Sequence, residues 1–317
     1  MEHFVSIVAV KELLEAGVHF GHPASRWNPG MKPFIHSKRN GIHIIDLKQT
    51  VRGLIRAYHF LQRLCGDGKS VLFVGTKRQA KNTIIAEARR SGQPYVSERW
   101  LGGMLTNFYT IRTRLKRLDE LEELEKLGAT GGVKKKQLGR IVRERKKITK
   151  NLDGIRNLER LPGALMIIDP KMEHIAVAEA NKLGIPVVAL LDTDCNPRNI
   201  DIPIPGNDDA MRAIQIVLGT LAEAILSGTR DWKVKEAIIR KQEEDRRRAD
   251  EQRREEIRHR QRAEAAARKR RDEAERKARE AAAKEAAQAV AESTPEEAAP
   301  VENSGEAAAG TEKAEGV

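Results

Sequence analysis

A chain of 317 residues, 33% charged and 4% aromatic, with two cysteines far apart, excludes a disulfide framework and a zinc finger. No apolar run approaches the roughly 18 residues of a membrane-spanning helix. Residues 1–229 hold 36 Lys and Arg against 24 Asp and Glu, residues 230–317 hold 22 against 22, and the whole net charge of +12 therefore lies in the first part. A basic folded body points to a polyanionic partner, and a charge-balanced tail does not. The N-terminus, MEHFVSIVAVKELLEAG, lacks the marks of a signal or transit peptide, which makes the cytosol the expectation.

Residues 8–16 have helical spacing, and Gly17 is placed to stop them. His19-Phe20-Gly21-His22, Arg26-Trp27-Asn28-Pro29, Lys32 and Lys38-Arg39 then mix rings with cations, a composition suited to RNA phosphates and unstacked bases. The same residues suit an arm that packs its rings inward and directs Arg26, Lys32 and Arg39 outward. Asn40-Gly41 between two apolar runs predicts a hairpin. A helix follows over 46–64, then a buried parallel strand over 70–75, a helix over 78–90 and a short strand at 95–97. Further on, strands at 164–169 and 186–192 flank a helix at 173–183. A shorter strand is expected at 200–204, and Asn207/Asp208 caps a helix to about Leu226. Strands alternating with helices predict a parallel sheet covered on both faces.

Two stretches interrupt that layering. From Thr106 a seam of Phe108, Ile111, Leu115 and Leu118, with Leu121 or Glu122 next and then Leu124 and Leu127, is answered by Leu138, Ile141, Ile148, Leu152 and Ile155. Gly128 and Gly131-Gly132 separate the halves, so the spacing predicts an antiparallel helical hairpin whose first arm, roughly 35 Å long, projects from the body. Its second arm carries Lys134-Lys135-Lys136, Arg140, Arg143, Arg145-Lys146-Lys147 and Lys150, interrupted only by Glu144 and Asp153. A charge run is more often a solvated face than a site, but this one has little compensating acid of its own. In the second stretch, residues 230–292 lack an apolar stripe and place opposite charges four apart, as in Glu243–Arg247, Asp250–Arg254 and Glu273–Lys277. They read as a helix held by charge pairs, with disorder expected over 293–317.

The loops after the strands are where an α/β enzyme would bind its ligand. Val74-Gly75-Thr76-Lys77-Arg78 lacks the second glycine and the Ser/Thr of a phosphate-binding loop, and no GxGxxG follows any strand. Asp192, Asp194 and Asp208, with Asp209, could gather near His19 or His22 and hold Mg²⁺ or Zn²⁺. The alternative is local, with Asp208 capping a helix and Asp192 bonding nearby backbone. No catalytic arrangement can be assembled from spacing.

RWLGGMLTN at 99–107, followed by a basic amphipathic helix, resembles the bacterial ribosomal protein S-two family of the small subunit. The likeness extends to GVHFGHPASRWNPGMKP (17–33), VLFVGTKR (71–78), IPVVALLDTD (185–194) and IPGNDD (204–209), in order, over roughly residues 8 to 228. It implies a flavodoxin- or Rossmann-like body with a projecting coiled-coil hairpin. It implies a structural role in docking small-subunit rRNA between head and body, beside neighbouring ribosomal proteins, and in helping to recruit a large multi-domain RNA-binding protein. Neither a membrane nor a small-molecule substrate is expected. The runner-up is an α/β enzyme binding a phosphorylated cofactor at the strand C-termini. The chain divides into an arm and first half-body (1–103), hairpin (104–160), second half-body (161–228), charged helical tail (229–292) and disordered end (293–317). Arg26, Trp27, Lys32, Lys38, Arg39, Lys77, Arg78, Arg99, Trp100, Lys134, Lys135, Lys136, Arg140 and Arg143 are the expected RNA contacts.

Overall fold

The structure, a computed structural model, describes the backbone of residues 9–129 and 135–291, with side chains for 9–126 and 136–284. Lys134, Gly131-Gly132, the side chains of Leu127 and Lys135, and the expected disordered end at 293–317 lie outside the described residues. Two compact units emerge, Met1–Arg240 and Lys241–Val317.

In the first unit, α1 (Val10–Glu15) precedes a three-stranded antiparallel sheet of β1 (Phe20–Pro23), β2 (Ile35–Arg39) and β3 (Ile42–Ile45), in the order β1-β3-β2. Positive φ at both Asn40 and Gly41 (49° and 77°) is the backbone that a tight two-residue hairpin turn requires. The expected hairpin is therefore present, and β1, which the sequence did not predict, pairs along its free side. The main sheet contains β4 (Val71–Val74), β5 (Tyr95–Val96), β6 (Ala164–Ile168), β7 (Val187–Leu191) and β8 (Ile202–Pro205). Its order is β5-β4-β6-β7-β8 and every pairing is parallel. Chain order reverses between β4 and β6, as in flavodoxin-like sheets. Pro203 and Pro205 fall in the edge strand β8, where a missing N–H is tolerated.

Alternate residues of the strands feed two cores. Val71, Phe73, Met166, Ile168, Val188 and Leu190 pack with α2 (Leu47–Gly66), α3 (Arg78–Ser91) and α7 (Met211–Ala291). Leu72, Val74, Leu165, Ile167, Val187 and Ala189 pack with α6 (His174–Leu183) and the base of the hairpin formed by α4 (Phe108–Ala129) and α5 (Lys135–Leu152). The buried stripe of α2 is made largely of small residues, Thr50, Gly53 and Ala57, with Leu54 and Leu61. At Gly53 the helix lies so close to β8 that a Cβ would stand 2.4 Å from the Pro203 carbonyl oxygen.

In the hairpin, Ile111, Leu115, Leu118 and Leu121 of α4 are buried with Ile148 and Leu152 of α5, which settles the open choice at 121/122 on leucine. The helices run antiparallel: Arg112 reaches the Leu158 carbonyl, Arg156 pairs with Asp119 and Glu122, and Arg145 pairs with Glu125.

α7 departs most from the sequence reading. It continues without a break through Gly228, where a boundary is expected, and the first unit extends to Arg240. Trp232 covers Gly68, and Lys235 Nζ donates to the Gly66 carbonyl at 3.1 Å. The opening of α7 is long and apolar enough for a membrane span by composition alone. Its Ile214, Val217, Leu218, Leu221 and Ile225 are instead buried in the sheet core. The described side chains of the second unit, Lys241 to Lys284, are all exposed. Arg247 pairs with Glu251 rather than with the equally spaced Glu243, and Arg260–Glu264 and Arg276–Glu280 follow the same Arg-first order.

Candidate nucleic-acid interface

The loops at the C-terminal ends of the strands meet at the point where strand order reverses. That crevice receives ligands in related folds, but here the protein's own side chains fill it. Buried Glu173, at the start of α6, accepts hydrogen bonds from the Thr76 backbone N–H (2.8 Å) and hydroxyl (2.5 Å). Burial pushes its carboxyl up, against the pull of those bonds. Lys77 Nζ lies 2.7 Å from Asp208, 2.6 Å from Asp209 and 3.5 Å from Asp169. The N-terminal arm closes the opening: His22 N–H donates to Thr193 Oγ1 (2.9 Å), and His22 Nδ1 lies 2.8 Å from Asp192 Oδ2. The Asp192 hydrogen bond, opposed by burial, raises His22 to about 9. Burial and the neighbouring Asp169 raise Asp208 to about 7.

Several expectations change at this point. Lys77 is engaged by three carboxylates and is not available to a phosphate. Asp208 does not cap α7; the Asn207 side chain accepts from the Asp209 and Ala210 N–H groups instead. His19 is not in the cluster and lies against the Phe20 ring, with centroids 4.0 Å apart. Asp194 pairs with Lys171 at 2.8 Å. Cys195 is buried, and burial followed by the adjacent Asp169 and Asp194 pushes its thiol well above its usual range, so it is no nucleophile.

The RWLGGMLTN stretch is organised around one carboxylate. Glu179 of α6 accepts from Trp100 Nε1 (3.1 Å), the N–H groups of Gly103 (2.7 Å), Leu105 (3.0 Å) and Thr106 (3.0 Å), and the Thr106 hydroxyl (3.1 Å). Burial opposes its charge, but the bonds from Thr106, Trp100, Gly103 and Leu105 outweigh it and hold the carboxyl below its usual range. Trp100 is only 5% exposed and so has no face to offer a base, while Arg99 beside it is exposed. Glu179 escaped the sequence reading. Its one signal was an acid enclosed by small apolar residues in AVAEAN.

The remaining cations are solvent-facing. Arg26, Lys32, Lys38, Arg39, Arg78 and Arg99 are exposed, and Trp27 is half-buried with its ring 5.3 Å from that of His43. Along α5, Lys136, Arg140, Arg143, Lys147 and Lys150 recur at steps of four and three, all exposed, on the side away from the Ile148 and Leu152 seam. Among the described residues none of these five pairs with a carboxylate. Arg145, which faces α4, is neutralised by Glu125. The acid missing along α5 is thus on α4, which neutralises the inward Arg145 and leaves the outward row uncompensated.

The profile of the family described as ribosomal protein S2 matches residues 13–228. Proteins named small ribosomal subunit protein uS2 from Dictyoglomus turgidum and Dictyoglomus thermophilum are each 53% identical over 238 residues, covering 75% of this chain and 96% of theirs. That of Syntrophobacter fumaroxidans is 53% identical over 226 residues, covering 71% of this chain and 82% of its own. The chain belongs to the ribosomal protein S2 family. Membership makes it a structural ribosomal protein and removes support from the enzyme alternative, in keeping with a crevice filled by Glu173, Lys77 and the arm. The S2 match ends at Gly228, so residues 229 onward, including the packed Trp232 and Lys235, lie beyond the family profile.

Proposed function

We propose that this S2 protein is held on small-subunit rRNA by two exposed basic surfaces, the N-terminal arm with Arg26, Trp27, Lys32, Lys38 and Arg39, and the outward row of α5. Arg78 and Arg99 add isolated contacts. The observation that carries the reading is the α5 row, five uncompensated cations on one side of one helix. Phosphate neutralisation by such a row is electrostatic and independent of base sequence. Trp27 adds a ring able to stack on an unpaired base. Its place between head and body, beside neighbouring ribosomal proteins on the cytosolic ribosome, and its support for recruiting a large RNA-binding neighbour follow from the family resemblance. No cofactor takes part in the docking.

Affinity for rRNA, measured over a salt series, is expected to fall steeply. Each neutralised phosphate contributes about −0.7 to −0.9 to the slope of log K against log salt. The combined Lys136→Gln, Arg140→Gln, Arg143→Gln and Lys147→Gln variant is expected to flatten that slope by up to about 3.6. An unchanged slope in the variant would overturn the role of α5, and a flat response in the native protein would overturn the electrostatic reading.

A further inference from the structure

The outer side of α2 belongs to neither basic surface described above. Its exposed residues are Lys48, Arg52, Arg56, His59 and Arg63, and no others. Steps of four, four, three and four set them on one side of the helix, opposite the buried Gly53, Ala57 and Leu61, over roughly 22 Å. The 20 residues of α2 include no Asp or Glu. Nor does acid reach the row from its surroundings, since among the described residues none of the five forms an ion pair. Asp46 accepts from the Lys48 backbone N–H at 2.9 Å, and on the adjoining α1 Glu15 pairs with Lys11 of its own helix. Arg63 Nε turns back to the His59 carbonyl at 3.3 Å.

A helix face that is only solvated looks different. In the tail, Arg247, Arg260 and Arg276 each meet a Glu four residues on, the ordinary way of balancing exposed charge. In α2 the arrangement opposes its own helix: Lys48 stands in the first turn, where the dipole repels a cation, and cations four apart repel one another. A local conflict of this kind marks a functional surface, and an outside anion resolves it. α2 packs in the core on one face of the main sheet and the base of the α4–α5 hairpin in the core on the other, so the α2 and α5 rows are separate. We propose that the outer side of α2 is a further RNA site, which takes the phosphate backbone of one duplex segment while the docking surfaces hold another. Guanidinium forks suit phosphate. Tyr58 and Phe60 are half-buried, so His59 is the only exposed ring on α2. Cations without stacking platforms suit a duplex rather than a single strand. With both sites filled, the protein would tie two RNA segments together across its sheet. The inference is independent of whether α5 docks.

The test titrates the full-length protein with a short fluorophore-labelled duplex RNA at low salt. The combined Lys48→Gln, Arg52→Gln, Arg56→Gln and Arg63→Gln variant should bind one duplex fewer than the native chain, the affinity of that site falling tenfold or more. Combining these changes with the four α5 substitutions should remove two. In the α5 variant, a single strand with the same number of phosphates should bind the α2 site at least tenfold more weakly than the duplex. Glutamine keeps helix propensity, so the α2 variant should melt as the native protein does. Native stoichiometry in the α2 variant would overturn the site, as would the loss of only one duplex when the two sets are combined. Preference of the α5 variant for anionic phospholipid vesicles or for single strands over the duplex would overturn the assignment to duplex RNA. If a variant does not fold, the native chain decides. Bound duplex should protect Lys48, but not the exposed Lys182 of α6, from an amine-reactive reagent read by mass spectrometry, and an unprotected Lys48 would overturn the proposal.

Discussion

Glu179 concentrates the logic of the RWLGGMLTN stretch in one side chain. Five donors from four residues converge on its two oxygens, so the loop is shaped by the acceptor it encloses. Glu179→Gln keeps the volume but turns one oxygen into a donor facing other donors. It is expected to destabilise the first unit by about 2–4 kcal/mol, as read from urea midpoints; a shift below about 0.5 kcal/mol would show the loop to be held by its packing. The sign with pH follows from the lowered carboxyl. Its contribution is fully present above the unfolded value of 4.5 and is lost as pH falls through the lower folded value. The gap between native and variant should therefore be level above about pH 5.5 and close at lower pH. Trp100 and Lys77 could not be sorted from Arg99 and Arg78 by sequence, because burial and ion pairing depend on Glu179, Asp169, Asp208 and Asp209, residues that are distant along the chain.

Where only local spacing was needed, the elements were legible. The seam from Ile111 to Leu121 and its answer at Ile148 and Leu152 follow from helical periodicity, and the Asn40-Gly41 turn follows from backbone preference. β1 was hidden because Phe20–Pro23 has no strand alternation and acquires its state from β3. The close approach of α2 to β8 was hidden because it is made at Gly53, with Ala57 buried one turn on, and no hydrophobic pattern marks either. That contact gives a prediction whose sign opposes helix propensity. Gly53→Ala would normally favour a helix by up to about 1 kcal/mol. With a Cβ 2.4 Å from the Pro203 oxygen, overpacking should prevail, for a net loss of about 1–2 kcal/mol in thermal melts. A variant that melts at or above the native temperature would mean that α2 can shift away from β8.

For the whole molecule, the family profile and the folded body end at different residues. The profile stops at Gly228, yet Thr229 bonds the Ile225 carbonyl, Trp232 lies over Gly68 and Lys235 reaches Gly66. Truncation after Arg240 should leave stability and competition for subunits lacking this component unchanged. Truncation after Gly228 should cost about 1–2 kcal/mol in denaturant midpoint, from the lost cover of Trp232. Equal stability of the two truncations would show that Trp232 contributes nothing. Composition located the excess charge in the body, but it could not show that α7 carries the fold past its apolar segment.

The division of labour within the hairpin sets an order of events. Its two helices are joined by a leucine and isoleucine seam that salt leaves intact, whereas the outward cations of α5 act through fields that shorten from about 30 Å at 0.01 M to about 3 Å at 1 M ionic strength. On the proposed reading, rising salt should therefore release a polyanion long before the hairpin opens. The released protein should still be folded, and its dissociation should reverse on dilution without a refolding step.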